Sequence, residues 1–182
     1  MKQTKKEFRI FLITDYEKEG EYLSLRHSQG WKFVKVVFPG IYYFEKCTPE
    51  DVVYQLDYNQ DGLSNKDEYV QLFQDCGWEY LMDFFGYSYF RKSRAAMDGD
   101  EQIFCDEESR LEMLQRVFQG RMLPLCIILF GVFIPQLISV IGESRNDMTI
   151  ILILYSILFL IYLFVFVTFA VRYRQLKSHS KR

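Results

Sequence analysis

Glu21 to Lys46 reads EYLSLRHSQGWKFVKVVFPGIYYFEK, and Glu68 to Lys92 reads EYVQLFQDCGWEYLMDFFGYSYFRK. The two stretches run in register from Glu-Tyr to Gly-Trp. After a one-residue gap both close on Tyr-Phe, a charged residue and Lys. Each is preceded by a strand-like run, FRIFLI before the first and VVYQLDY before the second. A repeat of this kind marks one supersecondary unit used twice. In the second copy Tyr69, Leu72, Phe73 and Cys76 fall at i, i+3, i+4 and i+7, a buried stripe, which the first copy shows less cleanly, with Arg26 where Phe73 stands. Gly30 and Gly77 suit the left-handed position after such a helix. Trp31 and Trp78 then open strands of mixed polar and apolar positions, as in a half-buried antiparallel sheet. Thr14 with Glu17, and Ser64 with Asp67, read as capping boxes.

Each unit thus reads β-α-β-β, over residues 7–47 and 52–93. The expected fold class is α+β: duplicated β-α-β-β units forming an antiparallel sheet with both helices on one face, in a domain of residues 1–105. Gly30, Trp31, Gly77 and Trp78 are its expected structural residues. The plainer role for the two Trp is core packing; the bolder is a symmetric aromatic groove for a peptide or small apolar ligand.

Beyond the domain, residues 106–121 (DEESRLEMLQRVFQGR) predict a juxtamembrane helix, acidic at its start and basic at its end. Residues 122–141 and 150–171 are both free of charge. A helix needs about 20 apolar residues to cross a bilayer, so the two predict a transmembrane hairpin. Arg116 and Arg121 precede it, and a basic tail, residues 172–182, follows it; the loop holds only Arg145. Lysine and arginine favour the cytoplasmic side. A multi-pass cell-membrane protein with both termini cytoplasmic is therefore expected. The tail should meet anionic headgroups of the lipid bilayer. Pro135 should kink the first span, and Gln136, costly in lipid, should contact the partner helix or another subunit. That contact would suit a homo-oligomer or an accessory subunit of a membrane complex.

Charge divides the chain in the same way. Residues 1–121 hold 16 Lys and Arg against 22 Asp and Glu, whereas residues 122–182 hold 6 against 2. An acidic domain argues against nucleic acid as a partner, because that binding draws on Lys and Arg at phosphates.

Residues 57–68, DYNQDGLSNKDE, fit the calcium loop of an EF-hand, with Asp57, Asn59, Asp61 and Glu68 at ligand positions. Against this, a strand leads into the loop, and Glu68 belongs to the repeated Glu-Tyr; a polar turn is the plainer reading. His27 reads as a surface histidine without a nucleophile nearby. Glu17, Glu19 and Glu21 read as solvated carboxylates near a helix start. Cys47, Cys76, Cys105 and Cys126 lack C-x-x-C or zinc spacing and read as reduced, mostly buried thiols. No P-loop, dinucleotide fingerprint or nucleophile elbow occurs. No catalytic residue and no cofactor is expected.

Asp15-Tyr16-Glu17-Lys18-Glu19, Gly30-Trp31, Tyr43-Phe44-Glu45-Lys46, Tyr54-Gln55-Leu56-Asp57, Gly77-Trp78-Glu79-Tyr80 and Tyr89-Phe90-Arg91-Lys92, with the stretch from Ile103 to Glu112, resemble a bacterial family of domains of unknown function, number 2812 (DUF2812). The resemblance covers about residues 7–115. It implies a membrane-anchored protein, common in Firmicutes and often encoded beside PadR-like regulators, in a regulatory or envelope-stress setting. No catalytic residue is carried over from it. The leading expectation is a non-enzymatic, membrane-tethered domain that binds a cytoplasmic protein partner such as a regulator. The alternative is an intracellular ligand or calcium sensor at the membrane.

Overall fold

The computed structural model describes residues 3–58, 65–97, 107–142 and 148–179. The chain divides into two compact units, Met1–Met113 and Leu114–Arg182.

The first unit runs β1 (Thr4–Phe8), α1 (Tyr16–Ser28), β2 (Trp31–Val37), β3 (Ile41–Lys46), β4 (Val52–Tyr58), α2 (Lys66–Asp75), β5 (Glu79–Phe84) and β6 (Tyr87–Ser93). The β-α-β-β order occurs twice, and the class is α+β. Each half makes its own antiparallel sheet with the last strand in the middle: β1-β3-β2 and β4-β6-β5. The register slips at matching places, between Phe33 and Lys35 in β2 and between Tyr80 and Met82 in β5. Such bulges add local twist.

One sheet was the expectation; the strands form two. The edge strands β2 and β5 lie beside each other, but Val36 N–H donates to the Met82 sulfur at 3.4 Å and not to a β5 carbonyl. A thioether is a weak acceptor, so the ladder does not continue across this edge.

The core forms where the inner faces of the sheets meet. Phe33 of β2 stacks on Tyr89 of β6, with ring centroids 5.6 Å apart, and meets Tyr54 of β4 edge-on at 6.2 Å. Helix α1 packs most extensively on β4 and also on β2. Its buried residues are Tyr16, Glu19, Gly20, Leu23 and His27, one helical stripe. Gly20 permits the close fit, since a Cβ there would lie 2.6 Å from the Tyr54 carbonyl oxygen. Ser24 secures it: its hydroxyl donates to the Gly20 carbonyl at 2.9 Å and accepts Tyr54 N–H at 3.0 Å. Helix α2 is shallower and has no buried residue, against the expected buried stripe: Leu72 and Cys76 are exposed, and Tyr69 and Phe73 are half-buried. Its Phe73 lies 4.4 Å from Phe90 on the other face of the second sheet.

The expected capping box of Thr14 with Glu17 does not form, because the helix starts one residue later. The residues before the two helices are Asp15 and Asn65, and neither makes a side-chain capping bond. Asp15 instead accepts Leu12 N–H at 3.2 Å. Ser64 lies outside the described residues.

In the second unit and the helix that enters it, residues 107–142 run as α3 (Glu107–Val117), α4 (Leu123–Ile128) and α5 (Ile134–Gly142), joined by two wide π turns, Phe118–Met122 and Leu129–Phe133. Each π turn ends two residues before a proline, Pro124 or Pro135. Proline cannot donate to the carbonyl four residues back and crowds it; the widened turn relieves that crowding. Helix α6 (Met148–His179) follows. The apolar windows Leu111–Gln136 and Ile153–Gln175 have mean hydropathies of 2.0 and 2.6 and are mostly exposed, with 18% and 6% buried. Both are long and apolar enough to cross a membrane. The expected span 122–141 falls within the first helical run, and 150–171 within α6.

Candidate functional site

The centre of the first unit holds a carboxylate. Glu19 is 7% exposed. Its Oε1 accepts hydrogen bonds from the Tyr42 hydroxyl of β3 and the Tyr89 hydroxyl of β6, each at 2.6 Å. One oxygen thus ties α1 to both sheets. Burial raises the Glu19 pKa above the ordinary carboxylate value, and the nearby Asp15 charge adds to the rise; the two tyrosine bonds offset only part of it. Burial together with the Glu19 charge holds both phenols far above their usual range.

Farther along α1, His27 is buried, and its Nδ1 lies 2.8 Å from the Tyr54 hydroxyl. Burial and the like charges of Arg91 and Lys32 lower its pKa, which favours the neutral ring.

A tyrosine-to-carboxylate link joins helix to first strand in each half. Tyr22 of α1 donates to Glu7 of β1, and Tyr69 of α2 donates to Asp57 of β4 at 2.7 Å. Arg26 adds two contacts to Glu7, through Nε at 3.0 Å and a second guanidinium nitrogen at 2.9 Å. Burial alone would raise the Glu7 pKa, but hydrogen bonds from Lys5, Tyr22 and Arg26 outweigh it and hold the carboxyl at about 2.

Outside this core, an open groove of about 620 Å³ runs between α1 and the outer edge of β4. Tyr16, Ser24 and Tyr54 line it, and Glu17, Glu21 and Asp51 bring carboxylates to it. Arg94, the cation of the lining, pairs with Asp51 at 3.2 Å. Tyr54 N–H, which points toward α1, is taken by Ser24. That N–H is therefore not open for strand pairing at the β4 edge.

The sequence profile of the family described as "protein of unknown function (DUF2812)" matches residues 15–128. The chain belongs to the DUF2812 family. No curated protein and no solved structure matches it. The DUF2812 match takes in α1, both hairpins, α3 and α4, so Glu19, Tyr42, Tyr89 and the α1 wall of the groove all lie within it.

Other expectations for this DUF2812 chain fare unevenly. Gly30 and Gly77 adopt φ of +83° and +80°, the left-handed conformation expected after each helix. Trp78 is buried, whereas Trp31 is half-exposed beneath the Lys5 ammonium at 5.4 Å, so the pair does not form a symmetric groove. Of the calcium-loop residues, Asn59 and Asp61 lie outside the described residues. Asp57 is a buried β4 residue bonded to Tyr69, and Glu68 is an exposed residue of α2. Among the described residues no group of three metal-ligating side chains converges. Pro135 and Gln136 are both exposed. Cys47 and Cys126 are half-buried and Cys76 is exposed, against the expectation of mostly buried thiols; Cys105 lies outside the described residues.

Two further expectations are overturned. Glu19 is buried, unlike the half-buried Glu17 and the exposed Glu21, and His27 is not a surface residue. The signal was present: Tyr16, Glu19, Gly20, Leu23 and His27 follow one helical stripe. Their polar side chains masked that periodicity.

Proposed function

We propose that this chain is a membrane-tethered cytoplasmic interaction domain, and that the groove between α1 and β4 receives a basic segment of a protein partner such as a regulator. The observation that carries this is the charge of the groove: Glu17, Glu21 and Asp51 stand against Arg94. Complementary charge favours encounter and selects against wrong partners. Tyr16 and Tyr54 add apolar area beneath the carboxylates, suited to lysine and arginine stems. The two apolar helices would supply the tether, and the excess of Lys and Arg at their outer ends supports cytoplasmic termini. The repeated β-α-β-β order is best read as an internal duplication, with the groove lined by the helix of the first copy.

The test uses the full chain in cells, with a photo-crosslinking residue in place of the groove residue Leu25. The expected result is an adduct mapped by mass spectrometry to a Lys- and Arg-rich segment of one protein. The adduct should disappear in Glu17→Lys/Glu21→Lys. Adducts confined to lipid, or an adduct indifferent to the charge reversal, would reject the proposal.

A further inference from the structure

The register of the first sheet orders its outer face. Residues opposite one another across β1, β3 and β2 share a face, so the outer side consists of three rows: Phe8–Ile41–Val37, then Lys6–Tyr43–Lys35, then Thr4–Glu45–Lys32. None of these residues is buried. Both lysines of the middle row lie over the Tyr43 ring, at 5.0 and 5.2 Å. The apolar row borders the β2–β3 turn, where Phe38 is 74% exposed. Phe38 meets Phe85, 54% exposed, on the turn of the β5–β6 hairpin, edge to face at 6.2 Å. Ile10, 69% exposed, adjoins the same turn beside Gly40.

We infer that this end of the first unit docks on an anionic lipid surface, with Phe38, Phe85, Phe8 and Ile10 entering the boundary of the acyl chains and the Lys6–Tyr43–Lys35 row at the headgroups. The order of the rows is the argument. Large apolar side chains, then tyrosine and lysine, then polar residues is the sequence met on moving from hydrocarbon to water. Adjacent rows are about 7 Å apart along a strand, comparable to the roughly 5–10 Å depth reached by interfacial elements. Charge supports lipid over an acidic-domain contact: the face holds Lys6, Lys32 and Lys35 against Glu45, in a part of the chain that is otherwise acidic. A lipid surface is also the one that a chain with two membrane-length apolar helices keeps at hand. The inference rests on that membrane reading.

The experiment takes the full chain carrying Phe38→Trp, reconstituted in vesicles of phosphatidylcholine with about 30 mol % phosphatidylglycerol, with brominated acyl chains as quencher. The expected result is tryptophan quenching above that of the parent protein, whose Trp31 and Trp78 set the background. Replacing phosphatidylglycerol by phosphatidylcholine, or introducing Lys6→Glu and Lys35→Glu, should abolish the excess. Each lysine near an anionic surface changes the docked-to-free ratio about fivefold. A chain that resists alkaline extraction from the vesicles but shows no excess quenching overturns the docking and leaves the tether standing. Quenching unaffected by lipid charge and by the lysine reversals also overturns it. A chain that fails to insert overturns the membrane reading itself, and the docking with it. Protection of position 38 in cells but not in vesicles would assign the patch to a protein and reject lipid.

Discussion

The Glu19 carboxylate and the Tyr89 hydroxyl lie 2.6 Å apart, and that bond joins helix α1 to a strand from the other half of the domain. The same oxygen accepts Tyr42, so the three side chains hold together elements 70 residues apart in the sequence. A hydrogen bond to a charged group contributes about 1.5–3 kcal/mol, and a buried group left without a partner costs a similar amount.

Glu19 should therefore set an unusual pH response. Its folded pKa is raised above the ordinary value of 4.5, so the folded state holds this proton more tightly than the unfolded state does. The contribution is complete below 4.5 and is lost as pH rises through the raised folded value. Denaturant melts between about pH 4 and pH 8 should show a stability decline that Glu19→Gln removes. Glu19→Ala, which strands both hydroxyls, should cost about 3 kcal/mol. A Glu19→Gln protein with an unchanged pH profile would contradict this account.

Glu7 should respond in the opposite sense. Its carboxyl is held at about 2, below 4.5, so its contribution is present above 4.5 and is lost as pH falls toward 2. Glu7→Gln should cost about 2 kcal/mol at neutral pH, because Arg26 loses its carboxylate. The deficit should vanish in acid. Melts of the variant at neutral pH and in acid measure both parts.

Tyr43 and Tyr89 hold matching places in the repeat yet should differ under the same change. Tyr89→Phe removes a buried bond to Glu19 and should cost about 2 kcal/mol. Tyr43→Phe removes a hydroxyl from a half-exposed ring beneath Lys6 and Lys35 and should stay within about 0.5 kcal/mol. Equal losses in thermal melts would show that the two sheets are not distinguished as described.

Gly20→Ala pits helix propensity against packing. Alanine favours the helix by about 1 kcal/mol. The added Cβ would lie 2.6 Å from the Tyr54 carbonyl, a main-chain atom that cannot rotate aside. Overpacking costs about 1–3 kcal/mol and should also strain the Ser24–Tyr54 bond. The expected net effect is a loss of about 1 kcal/mol or more, read as a lowered melting temperature. A gain in stability would show that α1 can move away from β4.

The sequence by itself determined the elements. The paired Gly-Trp positions, the Tyr-Phe endings and the two charge-free stretches gave the repeated β-α-β-β order, the turn glycines, the two membrane-length helices and the family. These are local signals: a helix stop needs a left-handed residue, and a span needs length and apolarity. Tertiary structure alone decided the division into two sheets, the partners that Glu19 and His27 meet in the core, and the groove beside β4. Two matched segments carry the same local pattern, so nothing within either one states which will face the other half. That choice is made when the inner faces meet at Phe33 and Tyr89. It turns Tyr89 inward to Glu19 and leaves its counterpart Tyr43 beneath two lysines on the outside.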